Sequence, residues 1–153
     1  MKKILIALYS LVLVILIASC GSTQETVDVS DITDAEKEAF SQTEGDTIKI
    51  SSDETEYEII IIEPGFNIWL SSIARMPGYY SQGFLETRNQ IMVTNWNQRV
   101  MQPNRFNPDL YQLPINYESN IDYGYEVNYK LYNYFIYFQR KYRQRLGPFV
   151  VRI

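Results

Sequence analysis

Six carboxylates beyond residue 62 are the acid–base groups this chain offers: Glu63, Glu86, Asp109, Glu118, Asp122 and Glu126. The 153 residues contain no histidine and a single cysteine, Cys20. An imidazole base, a histidine metal ligand and the Ser-His-Asp and Cys-His pairs are therefore excluded. So are an intrachain disulfide and a cysteine zinc site. Paired carboxylates remain, as glycosidases use them at about 5–5.5 or 6.5–9.5 Å. Asp122 and Glu126 are four apart and would share a helix face, but both fall at a helix start, where carboxylates serve as caps. Lys130 follows Glu126 by four, the spacing of a structural ion pair. No calcium-loop spacing, phosphate loop, dinucleotide fingerprint or nucleophile elbow occurs. No catalytic residue, metal site or cofactor is expected.

Binding chemistry is better represented. From Pro64 onward the chain holds 11 Tyr, 6 Phe and 2 Trp, with many Asn and Gln. Aromatic faces and side-chain amides hold neutral polar ligands such as sugars without the desolvation cost of a charge. Trp69, Trp96, Asn97, Tyr123 and Glu126 form the expected ligand-binding set.

Elements must position these residues. Tyr57 to Ile62 is β-branched and aromatic and reads as a buried strand, ended by Pro64-Gly65. Phe66 to Arg75 has a short helical pattern. Ser81 is an N-cap for a second helix from Gln82 to about Gln102, with Phe84/Leu85, Ile91/Met92, Trp96 and Val100/Met101 on one face. Residues 103–121 carry three prolines and read as an irregular crossover. Asp122 caps a third helix to about Arg145, with Val127, Leu131, Tyr134/Phe135, Phe138 and Tyr142 in an amphipathic stripe. Phe149 to Ile153 has a strand pattern and is expected to pair with 57–62. The expected fold is thus α+β: three helices on a two-stranded sheet built from 57–62 and 149–153.

The N-terminus reads as an address. Lys2-Lys3 precede an apolar run from Ile4 to Ala18, shorter than the roughly 20 residues a spanning helix needs. Ile17-Ala18-Ser19-Cys20 then resembles the bacterial lipobox, whose cysteine is acylated after the leader is removed. Residues 1–19 are expected as a signal peptide, 20–55 as a lipidated acidic flexible tether and 56–153 as the globular domain. Residues 21–63 hold 13 acids and 2 bases, whereas 64–153 hold 5 acids and 10 bases. The acidic stretch has the composition of a solvated linker, and Asp34 to Phe40 reads as a transient helical turn. With Lys2 and Lys3 removed the chain is net acidic, so nucleic acid is not an expected partner. Gly21 and Ser22 after the cysteine favour the outer membrane, facing the periplasm.

Several spaced segments carry a family resemblance: Pro64-Gly65-Phe66 with Trp69-Leu70, Tyr80-Ser81-Gln82, Val93-Thr94 with Trp96-Asn97, Asn116-Tyr117, Tyr123-Gly124 with Glu126, and Asn128 to Tyr132. Together they resemble an uncharacterised lipoprotein family of Bacteroidota, known only as a domain of unknown function. The resemblance implies an envelope lipoprotein and brings no activity or functional residue with it. The resulting expectation is a membrane-anchored, non-catalytic interaction or assembly module, held by acylated Cys20 and contacting an envelope protein. A glycan- or peptidoglycan-binding module is the alternative. A carboxylate-based hydrolase is the distant one.

Overall fold

The computed structural model describes residues 31–153 except 44, 46, 53, 54 and 152. Cys20 and its lipobox-like setting lie outside these residues. In chain order the elements are α1 (Asp34–Phe40), β1 (Thr47–Ser52), β2 (Thr55–Ile62), α2 (Phe66–Ser72), α3 (Gln82–Val100) and α4 (Gly124–Lys141).

The body is helical, which corrects the α+β expectation. A strand does span 57–62, but β2 pairs antiparallel with β1 as a local hairpin, Thr47 opposite Ile62. Residues 149–153 form no strand among the described residues. Phe149 packs instead beside Arg88, its ring centroid 3.8 Å from the guanidinium carbon, and Val151 is buried in the helical core. An apolar tail can therefore be covered by side-chain packing with no backbone ladder.

The stripe expected on the third helix is buried from Val127 to Phe138, but the burial is not confined to it. α4 begins at Gly124 and ends at Lys141, short of the expected Arg145, because Arg143 adopts φ 52° and breaks the helical run. Every residue from Leu131 to Arg140 is buried. A helix covered all round is the axis of a domain, and α1, α2, α3 and β1 lie about it. Its polar side chains close on the helix's own backbone. Asn133 Nδ2 donates to the Tyr129 carbonyl at 2.8 Å and Gln139 Nε2 to the Phe135 carbonyl at 3.0 Å. Gln139 Oε1 accepts from the Leu146 N–H at 2.7 Å, so the chain turns back onto the helix it has just left.

The tyrosines on and beside α4 fasten loops. Tyr129 donates to the Arg75 carbonyl at 2.7 Å, Tyr137 to the Pro64 carbonyl at 2.5 Å and Tyr142 to Glu63 at 2.7 Å. Tyr125 donates to the Tyr80 carbonyl and accepts from the Gly78 N–H. Each ring fills apolar space and each hydroxyl satisfies a backbone or carboxylate group that burial would otherwise strand.

Part of the stretch expected as a tether is docked on this body. Thr33 and Glu36 form a capping box at the start of α1, in which each side chain binds the other residue's backbone N–H. Glu36 is fully buried and receives Arg140 Nε at 2.5 Å and Nη2 at 2.7 Å. Trp69 Nε1 donates to the same carboxylate at 3.3 Å. Gly65 lies against the Ala39 carbonyl: a Cβ there would come within 1.8 Å of the oxygen, and its φ of 81° favours glycine. The transient turn read from Asp34 to Phe40 is a helix with a buried ion pair. The boundary expected at 55/56 falls at the start of β2, inside the hairpin.

Candidate functional site

Two concavities face solvent from different sides of α3. The first is a cleft of about 680 Å³ between the N-terminal half of α3 and the 117–122 loop. Gln82, Glu86 and Gln90 line it at i, i+4 and i+8, the spacing that puts side chains on one helix face. Gln82 exists in helical register because Ser81 caps α3, its hydroxyl accepting from the Phe84 N–H at 3.3 Å. Gln82 Nε2 then donates to Glu86 Oε1 and to Asp122 Oδ1, both at 2.8 Å. One amide thus ties the helix to the loop.

Tyr117 closes the cleft's inner wall. Its hydroxyl donates to Asn128 Oδ1 at 2.7 Å, and Asn89 Nδ2 donates to the same oxygen at 3.1 Å. Burial, then the charge of Glu86 and the neighbouring Tyr123, push the Tyr117 hydroxyl up to about 12. It is therefore a neutral donor at every physiological pH. Asn89 is fully buried and its Oδ1 has no partner among the described residues, and neither does Gln90 Oε1. The cleft lining offers amides, hydroxyls and two carboxylates, with no lysine or arginine.

The second concavity is a groove of about 420 Å³ between β2 and the 109–116 loop. Trp96 and Tyr134 form its floor, and Ile60, Ile62 and Leu113 stand at its rim. These three are 55%, 67% and 75% exposed. The loop is held in place from α3: Trp96 Nε1 donates to the Leu113 carbonyl at 2.9 Å. Asn97 grips Ile115 from both sides, donating to its carbonyl at 2.9 Å and accepting from its N–H at 2.8 Å.

With this geometry in view, sequence comparison places the chain. A family model matches residues 8–151, nearly its whole length. The chain belongs to the family of unknown function DUF6146. No curated protein and no solved structure matches it. Membership in DUF6146 bears out the expected relationship to a domain of unknown function and assigns no residue a role.

The five residues expected to bind ligand do not converge in this DUF6146 member. Trp69 is fully buried and bonded to Glu36. Trp96 and Asn97 brace the 109–116 loop, although Trp96 also floors the groove. Tyr123 is buried, stacked on Tyr117 with centroids 4.8 Å apart, and its hydroxyl accepts from the Glu118 N–H at 2.9 Å. Glu126 is 73% exposed and pairs with Lys130 at 2.5 Å, as its spacing implies. Asp122 caps: its Oδ1 accepts from the Gly124 N–H at 2.9 Å, although the residue before α4 is Tyr123. Asp122 and Glu126 thus serve separate local contacts.

Sequence reasoning missed the cleft residues Gln82, Gln90 and Tyr117. The signal was present as a polar i, i+4, i+8 row on α3, bordering its buried face. Among the described residues, no group of three or more Asp, Glu, His or Cys side chains is placed to hold a metal ion. No helix among them is long and apolar enough to cross a membrane.

Proposed function

We propose that this chain is a lipid-anchored, non-catalytic protein of the bacterial envelope whose helical body docks a protein partner in the groove beside β2. One observation carries the docking: Ile60, Ile62 and Leu113 stand exposed around a single concavity. Apolar side chains gathered at one place mark interaction sites, and covering them returns about 25 cal/mol per Å². The lipobox-like residues before Cys20 support the anchor, since two or more acyl chains give stable membrane attachment. Gly21 and Ser22 favour the outer membrane, facing the periplasm. The local engagement of Asp122 and Glu126 supports a non-catalytic role.

The test has two arms. Intact-mass analysis and fatty-acid labelling should find an acylated N-terminal Cys20, with membrane attachment lost in Cys20→Ser. A photo-crosslinker at Leu113 should give a discrete adduct in cells, absent when it is placed at exposed Met76. A bare thiol would end the anchoring claim, and equal labelling at both positions would end the docking claim.

A second reading has its own observation. The cleft at Gln82, Glu86 and Gln90 has the amides and hydroxyls that suit a glycan or peptidoglycan fragment. Titration with such oligosaccharides should shift the side-chain amide NMR signals of Gln82 and Gln90. A flat response across a broad panel removes this reading.

A further inference from the structure

We propose that a third pocket, between α3, α4 and residues 149–151, binds a small monocarboxylate with a short apolar body. It is open to solvent on the side of Val150 and has a volume of about 140 Å³, close to that of a cavity that admits benzene. Its walls are mostly apolar: Met92, Ile136 and Val151 are buried and line it together with Phe149. A ligand of about six heavy atoms fits such walls by surface removed from water.

Arg88 supplies the charge. Its guanidinium carbon lies 3.8 Å from the Phe149 ring centroid and 5.1 Å from that of Phe84. Two rings hold the planar group by stacking and cation–π attraction and leave the N–H edge of this half-exposed side chain without a protein acceptor among the described residues. No hydrogen bond or ion pair engages the Arg88 side chain among the described residues. Two arginines of the core, Arg99 and Arg140, differ. Arg99 donates to the Tyr111 hydroxyl and to the Arg145 carbonyl, and Arg140 to Glu36. Arg88 is thus orientated by its neighbours and has no acceptor.

A pre-orientated guanidinium edge matches a carboxylate in a two-bond fork. One cation balances one negative charge, which favours a monoanion over phosphate. No carboxylate side chain lines the pocket to oppose it. The tyrosines 80 and 132 beside Arg88 add neutral hydroxyls to the lining. This site is separate from the groove and the polar cleft, and stands or falls apart from both.

The test titrates the full chain with pentanoate, 1-pentanol and inorganic phosphate, followed by NMR of the Arg88 Nε–H and the Val150 and Val151 amides. Pentanoate should shift these signals and saturate, binding about tenfold more tightly than pentanol, as a charge-assisted fork implies. Arg88→Gln should remove that tenfold preference while leaving thermal unfolding within a few degrees. Equal affinity for pentanol, stronger binding of phosphate, or shifts confined to other surfaces would overturn the proposal. The wild-type titrations decide the matter even if Arg88→Gln fails to fold.

Discussion

Two ion pairs in this molecule have the same 2.5 Å separation and opposite surroundings. Glu36–Arg140 joins α1 to α4 across 104 residues, and its side chains are 0% and 1% exposed. Glu126–Lys130 spans four residues of α4, with the carboxylate 73% exposed. Distance therefore does not rank them. In water the attraction of a pair is screened and offset by side-chain entropy. In the interior it is strong, but each partner has given up its hydration and depends on the other. The buried pair ties α1 to the body together with the Phe40–Tyr137 ring contact, whereas the exposed pair joins two residues of one helix.

Substitutions can break that comparison, and the largest effect belongs to the buried carboxylate. Glu36→Ala leaves the Arg140 guanidinium buried without its main counter-charge and should cost about 3–5 kcal/mol by denaturant unfolding. A value under 1 kcal/mol would mean that α1 is not docked in solution. Replacing both partners, Glu36→Met with Arg140→Met, should recover most of the loss, because an apolar pair of similar size needs no charge. Gly65→Ala comes next. Its Cβ would meet the Ala39 carbonyl in a backbone conformation that disfavours side chains, so about 2 kcal/mol or more should be lost. Faster proteolysis at α1 would locate the damage.

Asn97→Ala removes both hydrogen bonds to Ile115 and leaves backbone groups of the 109–116 loop unpartnered, at about 1–2 kcal/mol. It should also weaken crosslinking from Leu113, since the loop forms the groove's rim. Glu126→Gln should change stability by at most about 0.5 kcal/mol.

Acid titration sharpens the contrast. Burial raises the Glu36 carboxyl, but hydrogen bonds from Arg140, the Thr33 backbone and Trp69 outweigh it and hold its pKa below the ordinary glutamate value. A carboxyl lowered on folding stabilises above its unfolded pKa, and that contribution is lost as pH falls through the folded value. Wild-type stability should therefore drop below about pH 4.3, the ordinary glutamate range. The Glu36→Met/Arg140→Met variant should show a shallower acid slope in pH-dependent melting. Equal slopes would remove Glu36 as the titrating group.

Helix existence was legible because it depends on local chemistry. Ser81 caps α3 as its residue type suggests. The strand at 57–62 was legible for the same reason, through its run of isoleucines. Its pairing was not. Nothing in Phe149 to Ile153 distinguishes pairing with a strand from packing under α3 and α4, since either removes the same side chains from water. The tyrosines misled similarly. Ring abundance suits sugar stacking and core filling alike, and only the positions of the Arg75, Pro64 and Tyr80 carbonyls reveal that the hydroxyls fasten loops.

The cleft was partly readable. Gln82, Glu86 and Gln90 share a face in any helix of that phase, but their concavity requires the 117–122 loop, brought there by a Tyr117 contact to Asn128. The expected set of Trp69, Trp96, Asn97, Tyr123 and Glu126 does not converge on one cleft, because its members lie on separate surfaces and in the interior.

Local patterning alone settled that Ser81 caps α3 and that Glu126 pairs with Lys130, and composition excluded an imidazole and an intrachain disulfide. Capping and periodicity act within a few residues, so neighbours in the chain are enough to specify them. Folding in three dimensions decided that α4 is the buried axis, that an acidic stretch docks through Glu36, and that Arg88 stands without an acceptor. Those outcomes depend on which distant groups exclude water together, a property of the assembled interior that no short stretch encodes.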